Sequence, residues 1–169
     1  MSAAIEVYLV RHAIAADRGP RYPDDRVRPL TADGVSRFRR AVQGLAALDV
    51  TLDVVFTSPL LRARETADLL AAGLKPKPAV EILEALAPGG APKDVLAAIA
   101  RAGRTSARLA LVGHQPELGD LAARLLGARG RIEFKKGGVA LVEVERSTPG
   151  GPGMLRWLLP PRALRRLTR

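Results

Sequence analysis

The sequence predicts an α/β fold with a mainly parallel sheet, and three observations carry that prediction. Apolar runs of strand length recur at 5–10, 53–57 and 108–112, as strands buried on both faces require. The second and third pass through Ser58-Pro59 and Gln115-Pro116 into stretches of helical spacing, the alternation that builds parallel sheets. The first and third are followed by His12 and His114, the only two histidines of the chain.

Taken in order, the first strand delivers Arg11 and His12 at its carboxyl end, where open α/β sheets bind ligands. Residues 14–29 are rich in Asp, Arg, Gly and Pro, lack apolar periodicity and read as a loop. Near its end Arg28 is either an exposed loop residue or a phosphate contact. Thr31 is the predicted N-cap, with Asp33 at the positive end of the dipole, of a helix running to Leu48. Helical spacing would bury Val35, Phe38, Val42, Leu45 and Ala46. After the strand at 53–57, Ser58 as N-cap and Pro59 as first helical residue predict a helix over 59–72. Arg62 lies in its first turn, on the same edge as Arg11 and His12 if the strands are parallel. Glu65 or Thr66 shares that side, as ion-pair partner or support, and Arg64 points elsewhere.

A Gly/Pro turn over 71–78 leads to a strand over 79–83, a loop over 84–92 and a helix over 92–101. The strand at 108–112 ends at His114, and Pro116 opens a helix to Leu126. Strands are expected at 132–134, 138–144 and 154–158, the last two as a hairpin across a Pro/Gly-rich turn at 147–153. Residues 160–169 are expected to be a basic helical tail and a solvated end.

Composition narrows the function classes. A length of 169 residues suits one domain over 1–169 and is short for two. Without cysteine there is no disulfide framework and no thiolate metal site. No histidine–carboxylate cluster suggests a metal, so neither metal nor cofactor is expected. The net charge of +10 raises nucleic acid as a partner, but the arginines are dispersed and 4% aromatics leave little for base stacking. Residues 1–10 are too short for a signal peptide and no apolar run would span a bilayer. A cytoplasmic monomer that binds neither nucleic acid nor membrane is the expectation.

Arg11, His12, Arg62 and His114 should therefore converge on one sheet edge. Two guanidinium groups and two imidazoles, without a metal site or a glycine-rich phosphate loop, fit in-line phosphoryl transfer to a histidine nitrogen. The arginines would hold the equatorial oxygens, His12 would attack as neutral imidazole, nearby cations would lower its pKa, and His114 would donate to the phosphoryl group.

These residues sit in segments that resemble a known family. Leu9-Val10-Arg11-His12-Ala13 resembles the Arg-His-Gly signature of the histidine phosphatase superfamily, the phosphoglycerate-mutase-like fold. Arg28-Pro29-Leu30-Thr31-Ala32-Asp33-Gly34, Ser58-Pro59-Leu60-Leu61-Arg62-Ala63 and Val112-Gly113-His114-Gln115-Pro116 resemble its later motifs in the same order. The short length and Leu83-Glu84-Ala85-Leu86-Ala87-Pro88-Gly89 look most like the SixA-type phosphohistidine phosphatases. The resemblance implies a single-domain three-layer α/β/α sandwich with a mainly parallel central sheet. It also implies His12 as nucleophile, Arg11 and Arg62 as phosphate ligands, His114 as second catalytic histidine and Arg28 as a substrate-binding position. Ala13 departs from the usual glycine, which bears on how the backbone packs beside the nucleophile.

No insertion is long enough to supply the acid that larger relatives use to protonate an alkoxide. Glu84 is the nearest candidate, as proton donor or as a structural residue. A phosphorylated imidazole leaves neutral once its other nitrogen is protonated, whereas an alkoxide needs a positioned acid. The leading expectation is a phosphatase acting on phosphohistidine of a partner protein, such as a histidine phosphotransfer domain, through a phosphorylated His12. A phosphatase of small-metabolite or aryl phosphates and a catalytically silent, basic anion-binding module are the alternatives.

Overall fold

Alternation along the central strand sets the layers. In the computed structural model, which describes residues 4–146 and 151–168, β1 (Ala4–Arg11) sends Ile5, Val7 and Leu9 into one apolar cluster and Tyr8 and Val10 into another on the opposite face. β4 (Arg108–Gly113) does the same, with Leu109 and Leu111 on one side and Ala110 and Val112 on the other. The period-2 pleat on a sheet buried on both sides demands this division. One face is covered by α1 (Ala32–Ala47), α2 (Leu61–Gly73) and α5 (Pro161–Arg166), the other by α3 (Pro92–Ala102) and α4 (Glu117–Leu125). The three-layer α/β/α expectation holds.

The remaining strands are β2 (Val54–Thr57), β3 (Ala79–Ile82), β5 (Val139–Glu145) and β6 (Met154–Leu159). They complete a six-stranded sheet in the order β3-β2-β4-β1-β5-β6. The first four strands of that order pair in parallel, and β5 and β6 add antiparallel partners on the far side of β1. The mainly parallel prediction is therefore correct, within a mixed sheet. Part of the predicted hairpin turn, 147–150, lies outside the described residues.

Four local expectations need correction. Residues 132–134 form no strand: the Ile132 amide bonds Gly119 O on α4, Phe134 is fully buried, and its carbonyl accepts from Arg11. These backbone and side-chain contacts satisfy groups that a ladder would otherwise have to pair. Ser58 does not cap α2, which begins at Leu61 after Leu60: its hydroxyl accepts the Leu60 amide at 3.3 Å ahead of the helix and lies against His114. Within α1, Thr31 is the N-cap, accepting from the Gly34 amide at 2.9 Å, but Ala46 is exposed and Val35 only half-buried. The helix turns Ala41 and Gly44 inward instead.

The C-terminal tail is helical as expected, and the fourth correction is that it is not merely a solvated end. α5 packs on α1 with Leu164 fully buried, and Gly44 allows it: a Cβ there would lie 2.0 Å from Leu164 O. Burying one leucine is worth about 2 kcal/mol, enough to hold a short helix that would not form alone.

Candidate functional site

The register of the parallel strands builds the site. β1 pairs with β4 so that Arg11 stands opposite Gly113, and the next residue of each strand is a histidine. The His12 amide bonds Gly113 O at 3.0 Å, and the two imidazoles lie 5.2 Å apart, tilted by 53°. β2 pairs Thr57 with Val112, which brings Ser58 beside His114, and its hydroxyl lies 2.7 Å from His114 Nε2. Arg62, the second residue of α2, reaches the same edge. Arg11, His12, Arg28, Arg62 and His114 all line one open pocket of about 460 Å³, with Lys136 at its rim. All five predicted site residues are thus brought together.

Hydrogen bonding fixes the state of the first imidazole. His12 Nδ1 lies 2.7 Å from Ala13 O; a carbonyl can only accept, so Nδ1 carries the proton and Nε2 keeps its lone pair. Burial pushes the His12 pKa down to about 4, against the pull of the Ala13 carbonyl and with help from Arg62, Arg11 and Lys136. His12 is neutral at physiological pH, as expected, but desolvation outweighs the cations as the cause. His114 falls to about 3, again through burial first and then through His12 and Arg62.

Each arginine is tied by some of its donors and leaves others free. Arg11 Nη1 donates to Phe134 O at 2.6 Å, while its Nε is buried without a partner. Arg62 is buried; Nη1 and Nη2 donate to the backbone and carboxylate of Asp25 at 2.8 and 3.0 Å, and Nε has no partner. His114 Nδ1 is likewise buried and unbonded. These three unpartnered nitrogens belong to residues that line one pocket, as do the unpartnered Gln115 Oε1 and Glu117 Oε2; leaving such groups unpaired is costly, and a tetrahedral anion would satisfy the nitrogens.

Arg28 is buried, not an exposed loop residue. Its Nε donates to Asp25 Oδ1 at 3.0 Å and its Nη1 to Ala16 O at 2.6 Å. Asp25 is the residue that sequence reasoning missed. Burial alone would push its carboxyl up, but hydrogen bonds from Arg28 and Arg62 outweigh that and hold it below the usual carboxylate range. The available signal was electrostatic: two buried arginines require an acid nearby, and the loop before Arg28 is where one could come from.

Support for the backbone comes from Thr66. Its hydroxyl donates to Arg62 O at 2.7 Å and accepts the Ala13 amide at 3.0 Å. Ala13 is buried within that arrangement, so its methyl is accommodated where the family pattern has glycine. Glu65, the other expected neighbour of Arg62, instead accepts the Leu30 amide at 2.7 Å. Glu84 is exposed and absent from the pocket lining; the carboxylates there are Asp17 and Glu117. Glu117 Oε1 accepts the Gly89 amide, and its Oε2 is buried without a partner.

Comparison with known proteins bears on the family and the fold. The sequence model of the histidine phosphatase superfamily (branch 1) matches residues 7–87. An uncharacterized protein of Picosynechococcus sp. is 39% identical over 168 residues, covering 92% of this chain and all of its own. The phosphohistidine phosphatase SixA of Escherichia coli K12 is 29% identical over 93% of this chain and 94% of its own. The solved structure of the protein histidine phosphatase SixA complexed with tungstate superposes with a TM-score of 0.84, at 29% identity, over 95% of this chain and 99% of its own. By sequence and by fold, the chain belongs to the histidine phosphatase superfamily.

Proposed function

We propose that this chain is a SixA-like phosphohistidine phosphatase in which His12 is the nucleophile. The observation that carries the reading is the set of three buried, unpartnered nitrogens, Arg11 Nε, Arg62 Nε and His114 Nδ1, on residues that line one pocket with His12, whose Nε2 keeps its lone pair. They match in number and chemistry the equatorial oxygens of a phosphoryl group in transfer. Tungstate, bound by the solved SixA relative, is a tetrahedral oxyanion of the same kind.

His12 Nε2 attacks phosphorus while the bond from phosphorus to the substrate imidazole breaks, and the departing imidazole keeps a proton on its other nitrogen. Water then attacks phosphorylated His12, the new bond breaks and orthophosphate leaves, restoring the neutral imidazole. For His114 Nδ1 to donate to the phosphoryl group it must carry the ring proton, because burial keeps the ring neutral. Nε2 must then accept from the Ser58 hydroxyl, and the 2.7 Å contact supplies that bond. Arg28 holds Asp25, and through Asp25 it orients Arg62; its remaining Nη2 is the atom left to meet substrate. We take the enzyme to be a cytoplasmic monomer, a single domain over 1–169, working without a cofactor on a phosphorylated protein.

A substrate screen tests this, run with chelator present. A phosphorylated histidine phosphotransfer domain should be dephosphorylated faster than an alkyl phosphate, and His12→Ala should abolish both. Equal or faster turnover of the alkyl phosphate overturns the phosphohistidine reading and points to Glu117, with its unpartnered oxygen in the pocket, as a proton donor. Release of phosphate from an aryl phosphate by the wild type, lost in Arg62→Ala, separates an enzyme from a silent anion-binding module.

A further inference from the structure

The net charge of +10 is not spent on the pocket. A second concentration of cations stands where α1 meets α5. Arg37 and Arg40 project from the exposed side of α1, and Arg162 and Arg165 come from α5. Between the helices runs a crevice lined by Arg37, Arg165 and Lys136, with Gly34, Phe38 and Pro161 among its walls. Arg37 has an acid partner, Asp33, at 2.8 Å on the exposed helix surface. Among the described residues Arg40, Arg162 and Arg165 have none.

These charges act on one another. Burial lowers the Arg165 pKa, and Arg37, Arg40 and Arg162 lower it further. Asp33 opposes them in part, but one carboxylate among four arginines leaves a net positive face that attracts anions from solution. The face is continuous with the reaction pocket, because Lys136 lines both, and because Ala13, which follows His12, belongs to the crevice wall. A molecule seated on α1 and α5 therefore lies beside the reaction pocket.

The chemistry of the face selects among polyanions. Phe38 is the aromatic at the crevice and is 2% exposed, so no ring is offered for base stacking. For a lipid surface α5 has too little to offer: Leu164 is consumed against α1, and Leu167 at its C-cap is a lone exposed leucine rather than an apolar face. We propose that the α1–α5 face docks an acidic protein surface flanking the phosphohistidine of the substrate, so that charge complementarity selects the phosphorylated partner. This rests on the reading of the pocket as a phosphohistidine phosphatase, and it adds to that reading where substrate recognition outside the pocket occurs.

The test reverses the unpaired charges in Arg40→Glu/Arg162→Glu/Arg165→Glu and keeps them in the corresponding triple lysine variant. None of the three residues lines the reaction pocket. The substrate is a phosphorylated histidine phosphotransfer domain of negative net charge, with p-nitrophenyl phosphate as the small control. Charge reversal should lower kcat/KM for the phosphoprotein by about ten-fold or more, through KM, and flatten its salt dependence, while the lysine variant stays near wild type. Hydrolysis of the small ester should change by less than about two-fold, which also shows that the variant folds.

Equal losses on both substrates, or an unchanged salt dependence, would overturn the docking face. Binding of the unphosphorylated domain, followed by fluorescence anisotropy, separates the two claims. If the wild type hydrolyses only the small ester yet binds the domain in an arginine-dependent way, the pocket reading fails and the docking face stands. No arginine-dependent binding, or arginine-dependent binding only to single-stranded DNA or to anionic vesicles, overturns the docking face whatever the pocket does.

Discussion

At the scale of single residues, the proton on His114 decides whether the pocket can hold a phosphoryl group. Its ring is neutral, so one nitrogen donates and the other accepts, and the Ser58 hydroxyl at 2.7 Å decides which. Ser58→Ala leaves Nε2 free to take the proton and turns Nδ1 into an acceptor facing phosphate oxygens. We expect kcat to fall by about 10²-fold, the scale of losing one preorganised donor, with partial recovery in Ser58→Thr. Nitrogen-15 spectra read the tautomer directly, and with only two histidines in the chain the spectrum of His12→Asn assigns both rings. Loss of activity without a change of tautomer would leave Ser58 a packing role only. The sequence made this serine look like a helix cap, because Ser-Pro before an apolar repeat is a strong start signal. What it could not show was the parallel register that aims the hydroxyl at a histidine 56 residues away.

Among the elements, two glycines of α1 separate catalysis from stability. A Cβ on Gly34 would lie 2.1 Å from Ile14 O, in the loop that leaves His12; one on Gly44 would lie 2.0 Å from Leu164 O, at the docked tail. Backbone oxygens cannot swing aside as side chains do, so each alanine must shift a segment, outweighing the gain of about 1 kcal/mol in helix propensity. Gly34→Ala should cost activity by about ten-fold or more, since displacement near 1 Å beside a nucleophile is enough for that. Gly44→Ala should lower stability by about 1–3 kcal/mol, read as a lower urea midpoint, and largely spare hydrolysis of the small ester. The reverse pattern would mean that α5, not the loop after His12, positions the nucleophile. Elements of this kind were mostly legible: strand ends, the Thr31 cap and the α/β alternation all follow from local pattern. Contacts at long sequence separation were not. The docking of α5 depends on a glycine more than a hundred residues earlier, and residues 132–134 show strand-like composition but spend their backbone on α4 and Arg11.

For the whole molecule, building a pocket around two neutral imidazoles sets the pH range of the fold. In the unfolded chain both histidines titrate near 6.5, whereas folding lowers them to about 4 and about 3. Above pH 6.5 both states are neutral and the pair contributes nothing to pH dependence. As pH falls below 6.5 the unfolded chain takes up protons that the native pocket refuses, so stability drops with acidity. Each imidazole can contribute a slope of about 1.4 kcal/mol per pH unit, and the slope fades only as the native rings themselves protonate near pH 4 and below. Urea unfolding at pH 7 and pH 5 should therefore show a loss of a few kcal/mol that the double variant His12→Asn/His114→Asn largely removes. Proton spectra of the folded protein should show neither ring titrating between pH 8 and pH 5. Tungstate should raise the melting temperature of the wild type at pH 7, because an oxyanion satisfies Arg11 Nε and Arg62 Nε in the native state alone. The increment should shrink in Arg62→Ala. A wild-type stability flat from pH 7 to 5 would show that the imidazoles are solvated, and with that the lone pair on His12 would no longer be protected from protonation by the fold.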